Sequence, residues 1–355
     1  MTIGTKERLL DFTGSFVDRI FLTAPRILNP FKARRTISHK EYESQIDFYF
    51  TKGYVDDPAS FFTFPSKAPA YTITKRKPYY DGEYQAIAYE SGYTAKNPLI
   101  RERYHSFEAN GTGYLIRWTH GDRGRKTLLC HHGFMLGEPQ QAQAMFKVDT
   151  LFNSGLDVAL FIAPFHWKRG TGTLRQRGIY LQPDDVVMTC ECFGQAMHDL
   201  YGTFLILSDL GSTATGLIGA SLGGYNTALF TGLTDIHAFA AMIVPAVNFS
   251  RPLGPDTARH PFALDETLHR KIKQVWELHS PLQLLPRLPE DRILVVASRG
   301  DLVCPFVYVK ELCDTWRITR RHFLTGGHWL VFNRNERGRA WYNFLLEMGF
   351  NDSRS

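Results

Sequence analysis

From residue 126 onward the chain alternates between continuous apolar runs and amphipathic stretches, and this rhythm restricts the possible folds severely. The runs are "KTLLCHH" (126–132), "LDVALFIAP" (156–164), "TGLIGA" (215–220), "AFAAMIVPAV" (238–247), "RILVVAS" (292–298) and "ITRRHFLT" (318–325). A strand that is apolar on both faces must be covered on both, which a parallel sheet flanked by helices achieves. The intervening stretches 138–154, 183–202, 221–233, 304–316 and 335–350 supply the helices. Upstream, "YTITK" (71–75), "YQAIAYE" (84–90) and "GYLIRWT" (113–119) are short strands separated by Gly and charged residues, the pattern of an antiparallel meander. The expected fold class is α/β: a mostly parallel, doubly wound sheet with antiparallel N-terminal strands. Residues 71–355 form the main domain and residues 1–70 an arm and wrapping segment.

Residues 1–30 place Leu9, Leu10, Phe12, Phe16, Val17, Ile20 and Phe21 near helical spacing until Pro25 and Pro30 stop the pattern. Such an amphipathic arm is expected to pack on its own domain, with peripheral contact to a membrane surface as its other use. No apolar run reaches the roughly 18–20 residues of a membrane span. The five cysteines are sparse and odd in number, and Cys190 and Cys192 lie two apart on a helix, where they share no face. With no secretory signal pattern at the N-terminus, they read as reduced thiols of a cytoplasmic protein. The net charge of +6 is mild for 355 residues, and the basic clusters 32–35, 75–77 and 168–177 form no continuous stripe. Nucleic acid is therefore not an expected partner.

The segment "GLIGASLGGYNTALF" (216–230) carries the chemistry. A serine hydroxyl needs exposure, an adjacent base and donors for a developing oxyanion. A tight strand-to-helix turn lifts Ser221 above the carboxyl edge of the sheet, and small residues are needed at Gly219 and Gly223 for that turn to close. The base candidate is His328 in "LTGGHWLVF" (324–332), directly after the last strand. Its carboxylate partner is Asp301, at the end of "ILVVASRGD", although an aspartate there also suits a helix N-cap. Asp256, Asp265 and Glu277 are weaker acids because they lie away from any strand end. In "CHHGF" (130–134) the turn at His132-Gly133 aims the Phe134 amide into the site, and the Leu222 amide is its partner in an oxyanion hole. Adjacent His131 and His132, with His166, lack the supporting spacing of a metal site, so no metal is expected there.

The order Ser221, Asp301, His328 with an upstream His-Gly turn resembles the α/β-hydrolase superfamily over roughly residues 112–350, nearest its serine esterases and acylaminoacyl-peptidase-like members. That resemblance implies an eight-stranded, mostly parallel sheet, no metal or organic cofactor, an acyl-enzyme intermediate and a substrate chosen by an insertion between the sixth and seventh strands. The chain has His-His-Gly-Phe where the hormone-sensitive-lipase group has His-Gly-Gly-Gly. The insertion, about 248–289, holds one amphipathic helix near 264–279 that suits either a small cap over the site or simple packing. In the loop 164–183, Lys168, Arg169, Arg175 and Arg177 suit either a carboxylate or phosphate on the substrate or plain solvation. His132, Trp329 and Arg169 are candidate substrate contacts. The expected activity is hydrolysis of a carboxylic ester or thioester of a small acyl substrate. A peptidase, an acyltransferase and a non-catalytic binding protein are the alternatives.

Overall fold

A computed structural model describes residues 4–28, 37–121, 124–170, 180–182, 185–250, 265–332 and 334–350. Its centre is one nine-stranded sheet, and every apolar run named above supplies a strand. The strands are β1 (Tyr71–Tyr79), β2 (Gly82–Glu90), β3 (Thr112–Thr119), β4 (Lys126–His131), β5 (Asp157–Phe161), β6 (Ala214–Ala220), β7 (Ala240–Ile243), β8 (Ile293–Ser298) and β9 (Arg321–Leu324). They lie in the order β1-β2-β3-β5-β4-β6-β7-β8-β9. The pairings β1–β2, β2–β3 and β3–β5 are antiparallel, and all pairings from β5 through β9 are parallel. The hairpin at the β1 edge takes the sheet beyond the eight strands implied by resemblance.

The helices are α1 (Thr5–Leu28), α2 (His39–Thr51), α3 (Arg101–His105), α4 (Pro139–Phe146), α5 (Val148–Asn153), α6 (Val186–Asp209), α7 (Leu222–Leu233), α8 (Glu266–Glu277), α9 (Phe306–Thr315) and α10 (Arg334–Glu347). One sheet face packs on α2, α6, α7, α8 and α9, and the other on α4, α5 and α10. Alternate residues of each parallel strand divide between the faces: Val158 and Leu160 point one way, Ala159 and Phe161 the other. This explains why the runs are continuously apolar. No described helix is long and apolar enough to cross a membrane.

Three local readings differ from the structure. The stretch 138–154 is two helices, because Lys147 adopts a left-handed φ of 51° between them. The run 238–247 stops being a strand at Ile243, where Val244 turns with φ 42° and sends residues 244–246 around the end of β6. Helix α1 continues through Pro25 to Leu28, since a proline forfeits one helical hydrogen bond without forcing the chain out of helical dihedrals.

The wrapping segment is tied down by a buried acid. Glu191 of α6 accepts hydrogen bonds from Tyr49 Oη, Tyr93 Oη and the amides of Lys96 and Asn97, at 2.7–3.2 Å. Burial pushes its carboxyl above the ordinary range, and those four donors pull against that. Helix α8, within the 248–289 insertion, buries Leu268, Ile272, Val275 and Trp276 in the same core. Its Lys271 pairs with Asp47 of α2 at 2.7 Å. This helix is thus packed onto the domain; residues 251–264, with Asp256, lie outside the described residues. Replacing Glu191 with Ala strands four donors, and chemical denaturation should register a loss of about 3–5 kcal/mol.

Candidate active site

Parallel strands bring their carboxyl ends to one rim, where the loops of an open α/β sheet build a binding crevice. Ser221 sits at the middle of that rim. It follows β6 directly, opens α7 and takes φ 55°, ψ −113°. Such a conformation is strained for a side-chain-bearing residue and must be held by its surroundings. The Ser221 amide donates to Ile243 O, and its carbonyl accepts from the Tyr225 and Ala246 amides. The flanking glycines are sterically required. A Cβ at Gly219 would run into the Gly223 carbonyl and Thr227 Oγ1, and one at Gly223 into the His131 carbonyl.

Asp301 and His328 meet because β8 and β9 are in parallel register, with Ser298 opposite Leu324. Each chain then runs three or four residues beyond the sheet, the Gly300 amide donating to Gly326 O at 2.8 Å. His328 Nδ1 lies 2.7 Å from Asp301 Oδ2. The other carboxylate oxygen, Oδ1, accepts the amides of Val303 and Cys304 at 2.9 and 2.7 Å. Asp301 therefore closes its own turn with one oxygen and orients the imidazole with the other, so the capping and partnering roles coexist. Burial raises the Asp301 carboxyl above its ordinary value, and His328 offsets part of that rise. Burial opposes the charged imidazole, but the facing Cys304 and Asp301 groups outweigh it and hold His328 well above the usual histidine range. With Nδ1–H committed to the carboxylate, Nε2 is left to accept a proton.

Cys304, which the motif reading did not single out, stands inside this group. Its Sγ is 3.7 Å from Ser221 Oγ and also contacts the His328 imidazole. Nothing near Cys304 in sequence announces a role; only the parallel register of β8 and β9 brings it there.

Three histidines brace the opposite wall. His131 bonds His132 O through Nδ1 and Asn226 through Nε2. His132 bonds Gly133 O and accepts the Ala163 amide, and His166 bonds Pro164 O and accepts the Met135 amide. All three are buried, and desolvation lowers their pKa values, His132 to about 4, so the rings are neutral and fix the turn 132–136. Gly133 abuts the serine, since a Cβ there would lie 3.6 Å from Ser221 Cβ. Phe134 follows at the rim with its side chain partly exposed, and Leu222 is the first residue of α7.

Two candidate substrate contacts are corrected. His132 has both ring nitrogens occupied by backbone groups, which leaves none for a ligand. Arg169 is fully buried, paired with Asp199 Oδ2 at 2.6 Å and bonded to the Ile162 and Asn110 carbonyls. A guanidinium so sealed serves packing. Trp329 is 54% exposed, its ring edge-on to His328 at 5.2 Å. Lys168 stacks over Tyr114 and Trp167, while Arg175 and Arg177 lie outside the described residues. Of the rival acids, Asp265 caps α8 and Glu277 accepts from Ser250.

The sequence also conceals how α1 takes part. Its docked side is the polar one. Asp18 is fully buried and accepts the amides of His328 at 2.8 Å, Leu302 at 3.0 Å and Trp329 at 3.3 Å. Asp11 accepts the Gly326 amide, Ser15 donates to Gly300 O, and Gly14 lies against Gly326 and Gly327 with no room for a Cβ. The spacing of Asp11, Gly14, Ser15 and Asp18 was a readable signal, hidden by the apolar residues between them.

No family model matches the chain. Two uncharacterized proteins of Mycobacterium tuberculosis are 28% and 27% identical to it, each over 90% of this chain and 82% of their own length. Among solved structures, it is similar to acetyl xylan esterase 1 from Thermoanaerobacterium sp. at a TM-score of 0.56 and 14% identity. That match covers 84% of this chain and 93% of the esterase. An acetyl xylan esterase from Paenibacillus sp. R4 gives 0.55 and 12%, over 89% and 97%. At such identities the likeness is one of fold.

The two sides of α1 should behave oppositely to mutation. Asp18→Ala leaves three amides without their acceptor and should destabilise the chain by about 2–5 kcal/mol, whereas Phe12→Ser on the outer side should stay within about 0.5 kcal/mol. Denaturation midpoints of the two variants check this.

Proposed function

We propose that this chain, which has the α/β-hydrolase fold, is a serine hydrolase that opens carboxylic ester or thioester bonds through an acyl-enzyme. The carrying observation is the conjunction of a strained Ser221 at the sheet rim with an imidazole bonded at 2.7 Å to a buried carboxylate on the neighbouring loops. Fold likeness to two proteins named as esterases favours an ester over an amide.

In this reading His328 Nε2 takes the Ser221 hydroxyl proton as Oγ bonds to the substrate carbonyl carbon, and the carbonyl π pair moves onto oxygen. The amides of Phe134 and Leu222 are the donors assigned to that oxyanion, beside the positive end of α7. Collapse expels the alcohol or thiol, which leaves with the proton from His328. Water then repeats the sequence on the acyl-serine, releasing the acid and restoring the hydroxyl. Asp301 stays ionised throughout and orients the ring. A reducing, cytoplasmic setting belongs to the same reading, to which the sparse, odd-numbered cysteines of the sequence point.

One observation favours a second reading, with Cys304 as nucleophile: the described contacts join Ser221 to Cys304 and Cys304 to His328. Against it, burial raises the Cys304 thiol above its ordinary pKa, and the protonated thiol is a poor nucleophile. Ser221 also has the elbow, which Cys304 lacks.

Labelling with a fluorophosphonate separates the two: wild type and Cys304→Ala should label, and Ser221→Ala should not. Loss of label in Cys304→Ala with retention in Ser221→Ala would reverse the assignment. On a p-nitrophenyl ester, Ser221→Ala or His328→Ala should lower kcat by at least about 10³, and Asp301→Asn by more than roughly tenfold but less than either. The pH profile gives an independent check. A base held above its ordinary value must lose its proton to work, so kcat/KM should rise with pH through an inflection above about 6.5. Asp301→Asn removes a group that raises the imidazole, so its inflection should move to lower pH while its maximum falls. An unmoved inflection contradicts the pairing.

A further inference from the structure

Helix α1 is docked inside out. Asp11, Gly14, Ser15 and Asp18 face the loops that carry Asp301 and His328. On the opposite side of the helix, Leu9, Phe12 and Phe16 are 65%, 67% and 57% exposed. At 100° per residue these three fall within one narrow sector, roughly 180° from Asp11, Gly14 and Asp18. A helix that only needed packing would turn its apolar sector inward. Here the inner side is spoken for by polar bonds, Leu10 and Val17 are half-buried, and Leu9, Phe12 and Phe16 are left at the surface.

Charge indicates what covers it. Lys6, Arg8 and Arg19 are exposed on the same helix and flank the stripe, and the whole chain carries a net charge of +6. Glu7 and Asp11, its acidic members beside Asp18, turn toward Arg299 instead. An apolar sector bordered by cations, with acids withdrawn, matches a helix lying in the surface of an anionic bilayer. Three side chains on one helix are too few for a stable dimer, which buries about 800 Å² and some 20–30 residues on each partner. Trp329, more than half exposed beside the catalytic candidate His328, is held to the underside of the same helix through its amide. Its amphipathic ring suits the lipid–water boundary.

We infer that α1 is an interfacial helix that seats the rim of the candidate active site on an anionic lipid surface, so that the ester substrate is presented from that surface; this second half rests on the serine-hydrolase reading. Bonds from Asp18 and Asp11 to the 299–302 and 326–329 loops make the helix and the site one rigid unit. Insertion of Leu9, Phe12 and Phe16 therefore sets the distance of Ser221 from the lipid.

The test uses the full chain and vesicles of phosphatidylcholine with or without phosphatidylglycerol. Wild type should sediment with the phosphatidylglycerol vesicles and release at high salt. Phe12→Glu/Phe16→Glu, and separately Leu9→Ser/Phe12→Ser/Phe16→Ser, should bind at least about tenfold less. Because the altered side chains point outward, both variants should keep the wild-type unfolding midpoint. A wild type that stays in the supernatant, or variants that sediment as well as it does, overturns the inference. So does a wild-type dimer that the variants convert to monomer, which would assign the stripe to a second copy. For the substrate half, the variants should lose at least about tenfold on a long-chain ester dispersed in the vesicles and keep their rate on p-nitrophenyl acetate; equal rates on the vesicle-borne ester overturn it. Sedimentation needs no turnover, so a chain that binds vesicles but takes no fluorophosphonate label sinks only the hydrolase reading.

Discussion

The close approach of β6 to the first turn of α7 is the constraint on which the site is built. At Gly219 and Gly223 the backbone of one element lies against the backbone of the other and of β4, leaving no room for a Cβ at either position. Only that proximity holds Ser221 in a left-handed backbone conformation, and the strain is carried by bonds to Ile243, Tyr225 and Ala246. Val244, itself left-handed, ends β7 early so that residues 244–246 can curl round the serine and supply one of those bonds. Strand length, helix start and the placement of Ser221 at the rim are thus one steric problem with one solution.

Around it the loops are fixed by buried polar groups, each with its partners supplied. Asp301 divides its two oxygens between its own turn and the imidazole, while Asp18 collects three amides from the two loops that carry Asp301 and His328. On the other wall, neutral His131, His132 and His166 each spend both ring nitrogens on neighbouring groups. A buried polar group that lacks a partner is expensive, so a wall built this way has one low-energy arrangement. The same logic removes Arg169 from the substrate: its charge is already balanced by Asp199 within the core.

The N-terminal arm connects stability, site and surroundings. Its inward side contributes the acceptors for the Gly326, His328 and Trp329 amides, and its outward side exposes Leu9, Phe12 and Phe16. Docking strength and surface character are therefore set independently by two sets of residues on opposite sides of one helix.

Much was legible in the chain itself. The alternation after residue 126 marked all six late strands, and for β4 to β8 the reason is that a strand buried on both faces has little freedom to be polar; edge strand β9 keeps Arg321 exposed. The elbow could be read because its requirement is local: a tight turn needs small residues two positions either side of the serine. That Asp301 and His328 would meet at one rim was readable because each closely follows a strand run, where parallel strands deliver their loops together. What the sequence could not reveal was which polar groups would be buried together. Asp18 and His328 stand 310 positions apart, Glu191 gathers donors from 49 to 97, and Cys304 comes to lie between hydroxyl and imidazole. Periodicity and turn sterics are properties of neighbouring residues and are written in their order. Satisfaction of a buried charge depends on atoms brought near only when the chain closes, and so the tertiary structure alone decided it.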